Sequence, residues 1–486
     1  MKNLKITQRT ICLGLYVLLL LILSCAVNPV TGQRELMLLS EAEEIKLGNQ
    51  TDTQIGQTYG IYDDHKLTTY INDLGQGMAK LSHRPNLPFE FKILNSPVVN
   101  AFAVPGGYVY LTRGILSYLN NEAELAGVVG HEIGHITARH TAQQYTRAQL
   151  SQIGLGLGVI LSDNFRKYAG LAQFGVGMLS MRFSRDNERQ ADNLGVEYAT
   201  RAGFDAAHMA YFFETLERLH PSADRSGLEG WFSTHPNPPD RIKAVQRKAR
   251  EWAQKLGETN LRTNPETYLR QIDGLVFGED PRQGYVDTNV FYHPGLKFQF
   301  PVPDGWKINN TPAQVQMVSK KQDAVILFSF ERGKTPEEAA NNFVAGAKAR
   351  VITSGAINVN GLPAQRLISD INTSQGLIRA MSHFIQKDKK ISVFHGLTSI
   401  ALFQKYRPTF QATMSRFKAI ADQRKINVKP DRLYVRSIRT AGTVKGALRS
   451  LGVPKNKLKE IALLNGKKLT DTIQTNTLLK VVDRGK

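Results

Sequence analysis

Cysteine is almost missing from this 486-residue chain: Cys12 and Cys25 are the only two, and both lie near its start. That scarcity excludes thiol catalysis, cysteine-based zinc knuckles and a disulfide framework. Acidic charge is also in short supply, with 42 Asp and Glu against 62 Lys and Arg, a formal charge of +20 at neutral pH. Long apolar runs are lacking beyond the first 25 residues, which excludes a polytopic membrane protein. What is present is ordinary folded-protein composition, 42% apolar and 21% charged, and it excludes a mostly disordered chain. The length implies two to four domains.

The one apolar run is N-terminal. Lys2, Lys5 and Arg9 precede Ile11–Leu23, and Ser24-Cys25 follows. The run is too short to span a bilayer comfortably and has the charge and cleavage pattern of a signal peptide. Ile22-Leu23-Ser24-Cys25 resembles a bacterial lipobox. The resemblance implies a lipoprotein signal peptide over residues 1–24, acylation of Cys25 and a tether to a membrane surface. By resemblance to Gram-negative lipoproteins, Ala26 after the cysteine favours the outer membrane, on the periplasmic side of the cell envelope.

The remainder reads as a multidomain α+β chain. Residues 25–275 are mainly helical with a short edge-strand sheet: Phe89–Ile93 alternates, and Ala101–Val104 and Tyr108–Thr112 flank a Pro-Gly-Gly turn. Asn121 and Glu124 have capping-box spacing, so a helix is expected from there through Ala138 or beyond. A second helix fits Asp186–Arg201, ended by Gly203. Between them, residues 153–181 are rich in Gly and apolar residues, and a helical hairpin near the site is expected. Residues 278–283 read as a linker. Residues 285–422 read as an α+β domain, with strand-like stretches at Leu296–Phe300, Ala324–Phe330 and Ile391–Leu397, a capped helix start at Thr335-Pro-Glu-Glu338 and a helix over Tyr406–Ile420.

Residues 425–486 hold 15 basic and 4 acidic side chains, a net +11. Their order is strand (Leu433–Ile438), helix (Val444–Leu451), helix (Leu458–Leu464), strand (Leu478–Val482). This basic β-α-α-β unit resembles a LysM module, which implies binding to peptidoglycan glycan, although Thr475-Asn476 replaces the usual Pro-Gly step. A basic surface also suits anionic headgroups or acidic polymers. Nucleic acid is not expected as a partner of an exported protein.

The chemistry concentrates in His131-Glu132-Ile133-Gly134-His135. Residues four apart share a helix face, so two imidazoles can reach one Zn²⁺ while Glu132 lies beside the water that the metal activates. A shuffled chain of this composition would contain the pattern about 0.01 times. A third ligand is needed. His140, five residues past His135 on a continuous helix, would point away from the ion. Glu188 and Asp192 are four apart and share a face: Glu188 can ligate while Asp192 accepts an N–H from a ligand histidine. The same spacing also describes an ordinary solvated face.

Taken together, Asn100-Ala-Phe-Ala-Val-Pro-Gly-Gly107, the His131–His135 motif, Ser184-Arg-Asp-Asn-Glu188-Arg-Gln-Ala-Asp192, and Thr234-His235-Pro236 with Asp240-Arg241 resemble the HtpX and Oma type zinc metallopeptidases. These are gluzincins related to the CAAX prenyl endopeptidases. The resemblance covers roughly residues 30 to 250. It implies one Zn²⁺ per chain held by His131, His135 and Glu188, with Glu132 as general base and Asp192 supporting a ligand histidine. It places His235 near the metal, either as a fourth ligand that holds the enzyme at rest or as a hydrogen-bond donor to the oxyanion. A substrate strand is expected along Asn100, Ala101, Phe102 and Ala103. The expected activity is endoproteolysis of unfolded or misassembled envelope proteins. The alternatives are an assembly factor with latent peptidase activity and a peptidoglycan-binding lipoprotein. No 34-residue helical repeat follows the peptidase region.

Overall fold

Capping side chains mark where the helices of this chain begin. In the computed structural model, which describes residues 25–155, 182–219, 231–236, 240–373 and 376–483, with side chains left out at 25 and 148–155, Ser40 and Glu43 form a capping box. They open α1 (Glu41–Tyr59), which follows a small ribbon of β1 (Cys25–Val27) and β2 (Arg34–Leu36). Asp64 caps α2 (His65–Ala79). Next come β3 (Glu90–Leu94), β4 (Ala101–Val104), β5 (Tyr108–Thr112) and α3 (Arg113–Tyr118). β5 is central, pairing parallel with β3 and antiparallel with β4, so β4 lies at an edge of the sheet.

Asn121 accepts from the Glu124 backbone at 2.8 Å and starts α4 (Glu122–Thr137), every residue of which is buried. A helix buried on all sides belongs to the middle of a core. It ends earlier than the sequence expectation, because Arg139 adopts a left-handed φ of 57° and turns the chain into a new helix, α5 (His140–Leu155). The Arg139 guanidinium is held there by buried Glu44 and by the Leu39 carbonyl. A capping box of Ser184 and Asn187 opens α6 (Arg185–Arg201). Then follow α7 (His208–Leu219), a single turn α8 (Trp231–Thr234), α9 (Arg241–Leu256) and α10 (Pro265–Gln271).

α4 and α6 touch backbone to backbone. A Cβ on Gly195 would lie 2.8 Å from the His131 nitrogen, and one on Gly130 would lie 2.8 Å from the Gly195 carbonyl oxygen. Only glycine permits that approach, and it brings the two motif-bearing helices within side-chain reach.

Residues 307–399 contribute a seven-stranded antiparallel sheet in the order Arg350–Val359, Leu362–Thr373, Gly376–Lys387, Lys390–Ser399, Ala324–Glu331, Val315–Val318, Lys307–Asn310. Helix Pro336–Ala347 packs Ala339 and Ala340 on Leu367, Phe384 and Val393. A Phe-rich cluster that includes Phe298, Phe300, Phe328, Phe394, Phe410 and Phe417 fills another core. The helix expected over Tyr406–Ile420 instead spans Ile400–Met414, with Pro408 inside it. Its buried stripe is Phe403, Tyr406, Phe410 and Met414, and the tail of the expected span leaves the helix to pair Lys418–Ala419 with Phe298–Gln299.

The C-terminal segment forms strand Arg432–Ser437, helix Val444–Ser450, helix Leu458–Leu464 and strand Leu478–Asp483, with the two strands paired antiparallel. It is built onto the first unit. Leu433 exchanges backbone hydrogen bonds with Gly274 and Leu275 at 2.7 and 2.8 Å, and Leu433, Val444, Leu448, Leu464 and Leu479 join the same buried cluster as Leu125 and Val129 of α4. Residues 278–283, read as a linker, include the short 3-10 turn Pro281–Gln283, and Arg113 holds the Gly278 carbonyl. The expected signal peptide (1–24) and most of the Gly-rich stretch (156–181) lie outside the described residues. Among the described residues, no helix is long and apolar enough to cross a membrane. The architecture is thus mixed α+β, with helices and several sheets.

Candidate metal centre

His131 and His135 stand one turn apart on α4, and their Nε2 atoms face each other at 3.0 Å. Glu188, from the first turn of α6, brings Oε2 to 3.6 Å from His131 Nε2 and Oε1 to 3.4 Å from His135 Nε2. His235, just after α8, puts Nδ1 3.2 Å from His131 Nε2 and 3.0 Å from Glu188 Oε1. One ligand atom from each of these four fully buried residues lies within 4.8 Å of all the others. Two imidazole nitrogens bonded to one tetrahedral zinc at about 2.0–2.1 Å stand a little over 3 Å apart, so the donor set fits such an ion.

The polar groups around the cluster point the same way. Both carboxylate oxygens of Glu132 and Glu188 Oε2 are buried without a hydrogen-bond partner. Buried polar groups are rarely left so, and an ion with its water would satisfy them. Burial pushes the Glu132 carboxyl up from its ordinary value, against the pull of His235 and His131. Burial acts on Glu188 in the same sense, yet the His235 charge and hydrogen bonds from His135 and His235 prevail and hold it well below the carboxylate range. His135 is driven well down by burial, which keeps it neutral and able to ligate. For His235 the charges of Glu188 and Glu132 outweigh burial, and its value rises.

Around these donors sits a supporting set. His131 Nδ1 lies 2.9 Å from Asp192 Oδ1. Asp192 is gripped in turn by Arg241, whose Nε and Nη2 donate to its two oxygens at 2.9 and 2.7 Å. The Arg241 guanidinium lies 3.9 Å over the Phe213 ring, and its Nη2 is also 3.2 Å from Glu188 Oε2. His140 does not reach the donor cluster. The break at Arg139 places its Nδ1 3.1 Å from His135 Nδ1 while its Nε2 contacts Gln190 Oε1 at 2.9 Å, so it orients a ring that the continuous-helix expectation turned it away from. Burial lowers His140 to about 4.

Asn100, Ala101, Phe102 and Ala103 are buried on or beside edge strand β4. The Trp231 backbone N–H donates to the Val99 carbonyl at 3.0 Å, and His235 Nε2 lies 3.3 Å from the Ala101 carbonyl. Residues 99 and 101 direct their carbonyls to the same side of an extended strand. The Trp231 ring stacks on His235 with centroids 4.3 Å apart, and Phe183 covers His135 at 3.9 Å. Trp231, Phe183 and the Gly130–Gly195 contact carry no spacing signal in the sequence. Arg241 belongs to the Asp240-Arg241 motif, but its grip on Asp192, 49 residues earlier, has no spacing signal either.

Residues 65–249 match peptidase family M48, and that span contains His131, Glu132, His135, Glu188, Asp192, His235 and Arg241. The beta-barrel assembly-enhancing protease of Escherichia coli (strain K12) is 33% identical over 222 residues, which make up 44% of this chain and 45% of that protein. The mitochondrial metalloendopeptidase OMA1 of Arabidopsis thaliana is 28% identical over 217 residues, 44% of this chain and 42% of that protein. The chain thus spans less than half the length of these relatives. Among solved structures, that of cyanobacterial PsbP from Synechocystis aligns with 28% of this chain and 91% of that chain at 15% identity and a TM-score of 0.23, too slight a likeness to define a fold. Residues 65–249 of this chain are therefore a peptidase family M48 domain.

Proposed function

We propose that this chain is a zinc-dependent metalloendopeptidase of the bacterial envelope that cuts unfolded or misassembled proteins. The observation that carries this reading is the pair of imidazole nitrogens 3.0 Å apart, faced by Glu188, with both Glu132 oxygens buried and unpartnered nearby. His131, His135 and Glu188 hold the ion. A bound zinc ion supplies Lewis acidity that brings water toward its deprotonated form near neutral pH. Glu132, raised by burial toward that range, takes the proton and passes it to the leaving amine. Asp192, with its carboxylate 2.9 Å from His131 Nδ1, holds the His131 ring by its charge. The substrate backbone pairs with the outer edge of Asn100–Ala103, which reads main chain and tolerates many sequences. The names of the two relatives, a protease of β-barrel assembly and a metalloendopeptidase, support a role in envelope protein quality control. Acylation at Cys25 and attachment to the outer membrane on its periplasmic side complete the proposal.

A second reading, latency, is favoured by His235. It sits among the donors and against the Ala101 carbonyl, so it fills both a fourth ligand position and part of the edge that a substrate strand needs. In this arrangement the enzyme is at rest, and a substrate gains access only as the Trp231–His235 segment leaves. Metal analysis and casein hydrolysis test the proposal together. Wild type is expected to hold one zinc ion, and Glu132→Gln to keep the ion while losing at least about a hundredfold in rate. Undiminished cleavage by Glu132→Gln, or protein without zinc, would overturn it.

A further inference from the structure

We propose that the C-terminal segment, through Lys480, is a built-in clamp that positions the start of the helix carrying His131, Glu132 and His135. The Lys480 ammonium is wholly buried and donates to the carbonyls of Ser117 and Leu119, each at 2.7 Å. Those carbonyls close the C-terminal end of α3, where a helix leaves acceptors without internal partners. Only the short stretch from Leu119 to Asn121 separates this point from α4, so holding it fixes where α4 begins.

The other side of the clamp is Glu124, in the first turn of α4. Its carboxylate accepts from the Asn120 backbone at 2.8 Å and from the Asn121 side chain at 3.1 Å. Burial drives the Glu124 carboxyl up and the Lys480 ammonium down, and the charge of each pulls the other back. Lys480 cannot drift from its place. Asn465 accepts from its backbone N–H at 2.7 Å and donates to its carbonyl at 2.8 Å, while Arg218 of α7 holds the Lys467 carbonyl at 2.6 Å. A lone buried ammonium is costly, and here its position serves a contact with the metal helix that an apolar side chain would not supply. Seven residues, two helical turns, separate Glu124 from His131 on one face of a rigid, fully buried helix. Lys480 is a positioning residue. Its functional meaning rests on the metal-site reading above, but the contact itself does not.

The test compares full-length wild type, Lys480→Met and Lys445→Met, an exposed lysine of the same segment. Three quantities are read: amide exchange at residues 117–137, zinc affinity by chelator competition, and the visible absorption of the cobalt-loaded protein. Lys480→Met is expected to speed exchange at 119–125 and weaken zinc about tenfold, with an altered cobalt spectrum, while Lys445→Met matches wild type. If Lys480→Met does not fold, Asn465→Ala is measured instead, because it loosens the strand bearing Lys480 and leaves the ammonium in place. A folded variant that melts earlier but keeps wild-type exchange, zinc affinity and cobalt spectrum would overturn the clamp and leave Lys480 a packing residue. If wild type binds no metal, the peptidase reading fails, and the exchange data alone still decide the clamp.

Discussion

Asp192→Asn separates the two jobs assigned to one carboxylate. Asp192 faces His131 Nδ1 at 2.9 Å and takes two hydrogen bonds from Arg241 at 2.7 and 2.9 Å, and both it and Arg241 are buried. The amide keeps the shape and one acceptor but removes the charge. Loss of such a partner to a ligand histidine weakens metal binding about 10- to 100-fold, or about 1.4–2.7 kcal/mol. With free zinc at 100 times the wild-type dissociation constant, the metal stabilises wild type by about 2.7 kcal/mol, and the variant by only about 1.4 to 0.4 kcal/mol. Separately, Arg241 becomes a buried cation without its main counter-charge, a defect of about 3–5 kcal/mol when uncompensated. Glu188 Oε2, 3.2 Å from Arg241 Nη2, offers partial relief but is drawn away from the metal in doing so. Denaturant unfolding with and without zinc, with chelator competition alongside, measures both effects. Adding Arg241→Leu to Asp192→Asn should recover stability while zinc affinity stays low. Zinc binding by Asp192→Asn within about threefold of wild type, or restored in the double variant, would refute the assignment of Asp192 as the orienting partner of His131.

Other expectations concern the resting state, the helix contact and the second core. His235→Ala should raise casein turnover at unchanged zinc content if the residue holds the enzyme at rest, and should lower kcat if it assists the reacting carbonyl; steady-state kinetics with metal analysis distinguish the two. Gly195→Ala forces α4 and α6 apart because its Cβ would meet the His131 nitrogen at 2.8 Å. It should cost about 1–3 kcal/mol in unfolding free energy and weaken zinc in the same protein. His383 is buried with neither ring nitrogen partnered, and burial lowers it to about 4 from an ordinary 6.5. The unfolded chain therefore takes up a proton there as pH falls below about 6.5 while the folded chain does not. Stability is lost by about 1.4 kcal/mol per pH unit down to about pH 4 and is unaffected above 6.5. His383→Leu should remove that share of the acid sensitivity in unfolding measured between pH 7 and 4.5, and an unchanged slope would show that His383 gains its proton in the folded state.

What the sequence shows of this molecule is what lies within one or two helical turns. His131 and His135, Glu188 and Asp192, and Asn121 and Glu124 are pairs separated by three or four residues, and the backbone itself puts such pairs on one face. The strands at Ala101–Val104 and Tyr108–Thr112 are equally local, two short runs of strand-forming residues, buried throughout, on either side of a Pro-Gly-Gly turn. Where a placement depends on partners distant in the chain, spacing fails. Pro408 favours a helix start near Tyr406, but burying Phe403 against the Phe-rich core begins the helix at Ile400 and keeps the proline inside. A left-handed Arg139 has no signature of its own, since the conformation is held by Glu44 from another helix. Lys480 reads as one more lysine in a basic tail until its contact with Ser117, 363 residues earlier, is seen.

The same division decides what a matching motif is worth. Spacing alone guarantees that two histidines share a face of α4 and that Glu188 and Asp192 share a face of α6, but not that the two faces meet. Here they meet because Gly130 and Gly195 let the backbones touch, leaving Glu188 oxygens 3.4 and 3.6 Å from the imidazole nitrogens with room for one small ion. A chain with every motif residue intact but a β-branched side chain at position 195 would hold those oxygens farther from both rings. Zinc–oxygen bonds of about 2.0–2.2 Å do not stretch to meet such a gap. On the proposed reading, the glycine contact between the two helices is therefore as much a condition for metal binding as His131, His135 and Glu188 themselves, and it is a condition that only the packed structure reveals.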